Sequence, residues 1–381
     1  MIGGTAAVVG IGATAFTKDS GRSELALAAE AVRAALDDAG LGPGDVDGMV
    51  TFTMDTSPEI TVAQAAGIGE LTFFSRVHYG GGAACATVQQ AALAVTAGIA
   101  DVVVCYRAFN ERSGRRFGAG VQGREPSAEG VALGWGLPYG LLTPASWAAM
   151  GARRYLHEYG LEPEVFGHVA VTDRRHAATN PAAYFHGRPI TLADHAASRW
   201  IAEPLRLLDC CQETDGGQAL VVTSLERART LRHPPAVVVA AAQGAGRAQE
   251  QMTSYYRDDI EGLPEMGVVA RQLWGSSGLG PADMDVAVLY DHFTPYVLMQ
   301  LEEFGFCGPG EGAAFVAADA LPLNTHGGQL GEAYLHGMNG IAEAVRQLRG
   351  TAVNQVPDAS RALVTAGTGV PTSGLLLGAD G

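Results

Sequence analysis

The chain has 381 residues, 47% hydrophobic and 17% charged, so it can bury a large α/β core as one unit or as two or three domains. A formal net charge of −15 argues against the basic surface that a nucleic-acid partner requires, and no apolar run reaches membrane-spanning length. Five cysteines, an odd number without C-x-x-C spacing, argue against a disulfide framework or a zinc site and fit a reduced, cytoplasmic enzyme.

In chain order, MIGGTAAVVGIGATAF lacks a basic leader and reads as a first strand at Ala6 to Gly10. Residues 31–52, AVRAALDDAGLGPGDVDGMVTF, read as an amphipathic helix, a Gly stop, an Asp-bearing turn and a buried strand. Tyr79-Gly80-Gly81-Gly82-Ala83-Ala84-Cys85 is a glycine turn entering a helix that runs to about Thr96, and Asp101 to Tyr106 is the next strand. Residues 111–235 are rich in Gly, Pro, Trp and Tyr, helix-like at Ala145 to Tyr159, and carry Arg112, Arg115, Arg116 and Arg124, which suit phosphate contacts or a solvated surface equally. Further strands are expected at Val237 to Ala241 and Arg361 to Thr365. The richest segment comes late: Asn324-Thr325-His326-Gly327-Gly328-Gln329-Leu330-Gly331-Glu332-Ala333-Tyr334-Leu335-His336-Gly337, a glycine-rich turn leading into a helix.

The chain repeats itself. From Val269, VARQLWGSSGLGPADMDVAVLYD matches the earlier segment without gaps, pairing Gly40, Leu41, Gly42, Pro43, Asp45 and Asp47 with Gly278, Leu279, Gly280, Pro281, Asp283 and Asp285. One repeat at this separation means two similar halves, not a solenoid. The expected organisation is an N-terminal half at residues 1–110, an insertion covering the site at 111–235, and a C-terminal half at 236–381.

Duplicated α/β halves with a glycine loop in each resemble the thiolase superfamily, and the resemblance covers nearly the whole chain. Its C-terminal histidine loop has the pattern N-x-x-G-G followed by G-H-P-x-G, and Tyr334 stands in the histidine slot. Tyr290-Asp291-His292-Phe293 is similar to the His-Asp-x-Phe strand end of the sterol-carrier type, and Cys210 to Ala219 resembles its C-x-x-x-x-D-G-A-A segment. Thr365-Ala366-Gly367-Thr368-Gly369-Val370 resembles the last glycine loop without its cysteine. Counting back from Ala97-Gly98-Ile99-Ala100-Asp101 puts the nucleophile slot at about Gly81, with Cys85 one turn inside the helix.

The implied fold is two βαβαβαββ halves in a layered αβαβα core. With the acyl-transfer residues replaced, the pattern is similar to the actinobacterial lipid-transfer-protein aldolases of steroid side-chain degradation. That resemblance implies a carbon–carbon lyase acting by retro-aldol cleavage on a β-hydroxyacyl-CoA, of the 17-hydroxy-3-oxo-pregnene-20-carboxyl-CoA type. The products would be a C17 ketone and propionyl-CoA. It further implies a homodimer joined by the OB-fold domain of a companion hydratase. No metal and no cofactor beyond the CoA ester is expected.

Under this reading Tyr290 is the base, as a phenolate or as a phenol poised by a neighbour, in a site expected to favour the anion, and Tyr334 is the proton donor or the group that tunes Tyr290. Both are otherwise core aromatics. His292, two residues on, orients the phenol or simply bonds to backbone. Gly80, Gly81 and Gly82 place N–H groups and a helix start at a developing oxyanion, with Gly367 and Gly369 on the opposite wall. His336 and Asn324 are candidate substrate contacts, His326 a supporting residue, and Asp291 a loop anchor. Two other readings remain: a thiolase using Cys85, and a non-catalytic acyl-CoA or lipid-binding protein.

Overall fold

The computed structural model describes residues 2–78, 80–114, 116–119, 134, 136–250, 256–368 and 372–380. Nine strands among them form one sheet: β1 (Ala6–Ala13), β2 (Gly48–Phe52), β3 (Phe73–Val77), β4 (Val102–Asn110), β5 (Asp215–Ser224), β6 (Ala236–Gly244), β7 (Val286–Val288), β8 (Arg361–Ala366) and β9 (Thr372–Ala379). Their order is β3-β2-β4-β5-β1-β6-β9-β8-β7. Read outward from the centre, β1-β5-β4-β2 on one side corresponds to β6-β9-β8-β7 on the other, so the duplication is visible in the topology. The two sides meet through β1 and β6, paired over Ala7–Val237 and Val8–Ala236.

Alternation along the strands builds the layers. Met49, Val102, Val104 and Val221 face outward on the first half with α1 (Glu24–Ala39) and α2 (Glu59–Ala66). Val50, Val103, Val222, Val238, Val288 and Leu375, drawn from both halves, enclose α3 (Ala84–Thr96) and the C-terminal helix Met338–Arg349. Leu289, Leu363 and Leu376 face outward on the second half, against Pro264–Ser277 and Thr294–Glu303. The result is the expected αβαβα sandwich.

The repeated motif folds identically twice because each residue type does the same work. Gly40 and Gly278 end their helices in the left-handed conformation, at φ 73° and 71°. The Gly42 N–H donates to Asp45 (2.9 Å) and the Gly280 N–H to Asp283 (2.8 Å). Asp47 receives the N–H groups of Asp101 and Val102 at 2.8–3.0 Å, and Asp285 those of Ser360 and Arg361 at 2.8 and 2.9 Å. Each aspartate thus ties its turn to the start of the neighbouring parallel strand.

Two expectations need correction. Residues 111–235 are not wholly an insertion: β5 lies between β4 and β1 and accounts for the Asp215-Gly216-Gly217 run. Gly217 is needed there because a Cβ would meet the Leu27 carbonyl oxygen at 2.9 Å. Regular strand β7 also stops at Val288, so Tyr290 lies just beyond it. The expected helix near Ala145 is present as Pro144–Tyr159, started by a capping box at Thr143 and Ser146.

Candidate active site

A cavity of about 670 Å³ opens at the C-terminal ends of the parallel strands, where ligands bind in open α/β folds. It gathers Gly80, Gly81, Gly82, Tyr290, His292, Tyr334 and His336 from separate stretches of the chain. Tyr290 is held from three sides. Its N–H donates to Thr365 Oγ1 (2.9 Å), its carbonyl accepts from Gln300 Nε2 (2.9 Å), and its hydroxyl lies 3.2 Å from the Tyr334 hydroxyl. The Tyr334 N–H donates to Thr214 Oγ1 at 2.8 Å.

The glycine turn and Tyr290 fit one another sterically. A Cβ on Gly81 would lie 1.9 Å from the Tyr290 hydroxyl oxygen and 2.3 Å from Cζ. The phenol therefore occupies the volume of the missing side chain at Gly81. Cys85 is fully buried within α3, its thiol donating toward the Val364 carbonyl at 3.6 Å and pushed up by burial. It does not line the cavity, and the Cys85-nucleophile reading is set aside on that ground.

Burial pushes both phenols well above the usual tyrosine range. For Tyr290 the Tyr334 hydroxyl works the other way, but Cys211, Glu111 and Asp291 add to the upward push. The expectation that the site favours a phenolate is therefore corrected: both rings rest neutral, and each offers a donor and an acceptor.

His292 lies beside Tyr290 with ring centroids 4.7 Å apart and is stacked on Tyr296. Burial lowers its pKa to about 3, so it is a neutral partner to the phenol. Its Nε2 lies 3.2 Å from Thr368 Oγ1, which lines the C-terminal wall of the cavity. Gly367 is not a lining residue, and Gly369 lies outside the described residues.

His336 adopts φ 52°, unusual for a side chain-bearing residue, and its ring lies 4.7 Å from that of Tyr334. Arg107 Nη2 donates to His336 Nδ1 at 3.1 Å. An arginine can only donate, so the imidazole carries its proton on Nε2. Burial first, then the Arg107 charge, hold His336 neutral. Arg107 itself is fully buried against Asp55 at 2.6 Å.

Asp291 anchors the Tyr334 loop as expected, accepting from the Gln329 N–H (2.8 Å) and the Leu330 N–H (2.9 Å). Only glycine fits at 328, where φ is +64° and a Cβ would lie 2.1 Å from the Asp291 carboxylate. Asn324 and His326 are placed behind this wall, not in the cavity. Asn324 spends its side chain on the Leu289 N–H (2.8 Å) and on Asp173 (3.3 Å), which leaves none for a substrate contact.

Several lining residues had no distinguishing motif: Lys18, Glu111, Arg174 and Arg199. Of the expected basic cluster, Arg112 and Arg116 line the cavity, while Arg115 and Arg124 lie outside the described residues. Burial, with Arg112 nearby, lowers Lys18 to about 8. Glu111 had one faint signal: it directly follows a central strand, at the ligand-binding end of the sheet.

Comparison with known proteins places the chain in a family. Residues 239–376 match the family described as thiolase C-terminal domain-like. A steroid side-chain-cleaving aldolase of Thermomonospora curvata is 67% identical, over 100% of this chain and 99% of the relative. The 17-hydroxy-3-oxo-4-pregnene-20-carboxyl-CoA lyase of Mycobacterium tuberculosis is 66% identical, over 99% and 100%. The solved structure of the Ltp2-ChsH2(DUF35) aldolase superposes with a TM-score of 0.96 at 66% identity, covering 100% of this chain and 99% of that one. The chain belongs to the steroid side-chain-cleaving aldolases, carbon–carbon lyases built on the thiolase fold.

Proposed function

We propose that this protein cleaves a 17-hydroxy-3-oxo-pregnene-20-carboxyl-CoA-type thioester by retro-aldol chemistry to a C17-ketosteroid and propionyl-CoA, with Tyr290 and Tyr334 as the proton-transfer pair. The observation that carries the residue assignment is the pair of neutral phenol oxygens 3.2 Å apart above Gly81, where an acyl-transferring relative would need a nucleophile. The substrate hydroxyl gives its proton to Tyr290 as the carbon–carbon bond breaks. Tyr290 passes its own proton to Tyr334, and Tyr334 protonates the α-carbon of the departing enolate. Each phenol gains one proton and loses one, so no free phenolate forms in a cavity that disfavours it. The Gly80–Gly82 turn and the start of α3 supply backbone N–H groups for the charge developing on the thioester oxygen.

His292 and His336 hold the two rings in place, and the CoA ester needs no added cofactor for this path. Lys18, Arg112 and Arg116 at the cavity wall suit the phosphates of CoA.

A homodimer is supported by the open outer edge of β3, where Phe74 is 67% exposed, and by the exposed Leu93 in α3 and Ile99 after it. The name of the similar solved structure, the Ltp2-ChsH2(DUF35) aldolase, supports a companion subunit, and the family resemblance makes that subunit the OB-fold domain of a hydratase. Among the described residues no helix is long and apolar enough to cross a membrane, and five free cysteines fit a cytoplasmic setting.

The test is propionyl-CoA release from the hydroxy-steroid thioester, with and without the companion domain. Tyr290→Phe and Tyr334→Phe each lower kcat by about 10²–10⁴-fold while the fold survives. Full activity in Tyr290→Phe removes the base assignment.

A further inference from the structure

The proton-transfer pair leaves a buried carboxyl at the cavity wall unused. Glu111 follows the last residue of β4, and its side chain is 1% exposed. It lines the same cavity as both tyrosines. Among the described residues neither of its carboxyl oxygens has a hydrogen-bond partner. Buried polar groups in folded proteins are nearly always paired, so such an orphan at a cavity wall points to a ligand that completes it.

The surroundings decide its charge. Its Oε2 lies 3.8 Å from His336 Nδ1, but that nitrogen is already receiving the Arg107 proton and has none to offer. Arg107 is neutralised by Asp55 at 2.6 Å. The groups facing Glu111 are Arg107 from β4, Lys18 from the loop after β1, Cys211 and Glu213 from the approach to β5, Asp215 at its start, and His336, Tyr290 and Tyr334 from the second half. Its largest influence is burial, which drives the carboxyl well above its ordinary range, and Arg107 opposes this only in part. An unpartnered carboxylate at this depth is strongly disfavoured, and protonation avoids that cost.

The position is built, not accidental. Asp215 accepts from the Arg112 N–H (2.9 Å), the Ser113 N–H (3.0 Å) and the Ser113 hydroxyl (2.5 Å), which clamps the turn directly after Glu111. The His336 ring spans from Glu111 to the glycine turn: a Cβ on Gly80 would lie 3.4 Å from His336 Cδ2. Glu111 and the glycine turn therefore border the same imidazole, and all of them line the one cavity.

We propose that Glu111 is a catalytic carboxylic acid, neutral in the resting enzyme, that donates a hydrogen bond to the thioester oxygen as the enolate forms. The inference rests on the retro-aldol reading above. A neutral acid is a stronger donor than an amide and carries no negative charge to repel the enolate. The proton remains on Glu111 throughout, so the balance of the tyrosine path is unchanged.

The test compares three proteins in complex with their natural partner. Glu111→Gln keeps an N–H donor and stays within about tenfold of wild-type kcat, whereas Glu111→Leu loses about 10²–10³-fold in kcat with a smaller change in KM. Wild-type turnover falls as pH rises through the Glu111 pKa, because the donor is lost on ionisation, and this limb is missing in Glu111→Gln. Infrared difference spectra show a protonated-carboxyl band in the wild type that Glu111→Gln lacks. Wild-type kcat in Glu111→Leu, an unchanged alkaline limb in Glu111→Gln, or no carboxyl band overturns the proposal. Should the Leu variant not fold, the Gln pH profile and spectrum decide. Inactive Tyr290→Phe beside a fully active Glu111→Leu defeats this inference alone, and active Tyr290→Phe defeats the underlying reading.

Discussion

The two halves share a scaffold and divide the chemistry. Phe52 and Tyr290 occupy matching places in the repeat. Phe52 ends β2 fully buried, packed edge-on to the His336 ring at 6.4 Å and beneath the Arg107 guanidinium. Tyr290 carries one more oxygen, and that oxygen faces the cavity. The helices at the centre differ in the same sense: α3 is entered through Gly80–Gly82, the C-terminal helix through Tyr334 and His336. The first half supplies backbone and empty volume, and the second supplies the side chains that fill it. In this site, removing a side chain from one copy is what admits the phenol of the other.

The largest expected effect breaks the matched aromatic positions apart. Tyr290→Phe removes only an oxygen and lowers kcat by about 10²–10⁴-fold. Phe52→Leu, at the equivalent position, keeps most of the turnover and costs about 1 kcal/mol in urea denaturation. Equal kinetic losses at the two positions would mean the halves do not divide the chemistry this way.

Gly81→Ala comes next. The new Cβ must displace the Tyr290 ring, so kcat falls about 10²-fold and stability by about 1–3 kcal/mol. Adding Tyr290→Ala recovers the stability but not the turnover, because the two residues compete for one volume. Additive losses in the double variant would contradict the overlap.

A smaller effect sharpens the scaffold side of the comparison. Asp47→Ala and Asp285→Ala each cost about 1–3 kcal/mol, by similar amounts, since each orphans two strand N–H groups. Burial alone would raise the Asp285 carboxyl, but the Ser360 and Arg361 N–H groups and the Ser360 hydroxyl outweigh it and hold the group below its usual range. Its contribution is thus present above the unfolded-state pKa and is lost as pH falls through the folded-state value. Denaturation curves of wild type and Asp285→Ala converge toward acid pH.

The smallest expected effect concerns Cys85. Cys85→Ser leaves retro-aldol turnover in place and lowers stability by about 1 kcal/mol, the cost of a hydroxyl in an apolar helix core. Loss of turnover with the fold intact would restore the thiol to the mechanism.

The duplicated Gly-Leu-Gly-Pro turns were legible because glycine caps, Asp turns and alternating apolar strands are local, and local rules act on neighbours in sequence. Strand β5 escaped because its glycines look like loop when read alone. They are strand residues only because other chain segments press on them: Leu27 on Gly217 and Phe16 on Gly216. A loop-by-loop likeness to a known pattern picks out the tyrosines but not their protonation. The charge of a phenol depends on what surrounds it, and Cys211 and Glu111 come from distant points of the chain. Asn324 shows the reverse error, since a polar residue in a suggestive loop turned out to be bonded within the wall.

By itself, then, the sequence determined the two-fold architecture, the glycine turn and the pair of tyrosines, since spacing and residue type specify those. Tertiary structure alone decided that the Tyr290 oxygen would fill the space above Gly81, that both phenols would rest neutral, and that Glu111 would stand unpaired beside them. Those properties come from burial and from contacts between segments far apart in the chain, and no window of sequence holds both partners at once.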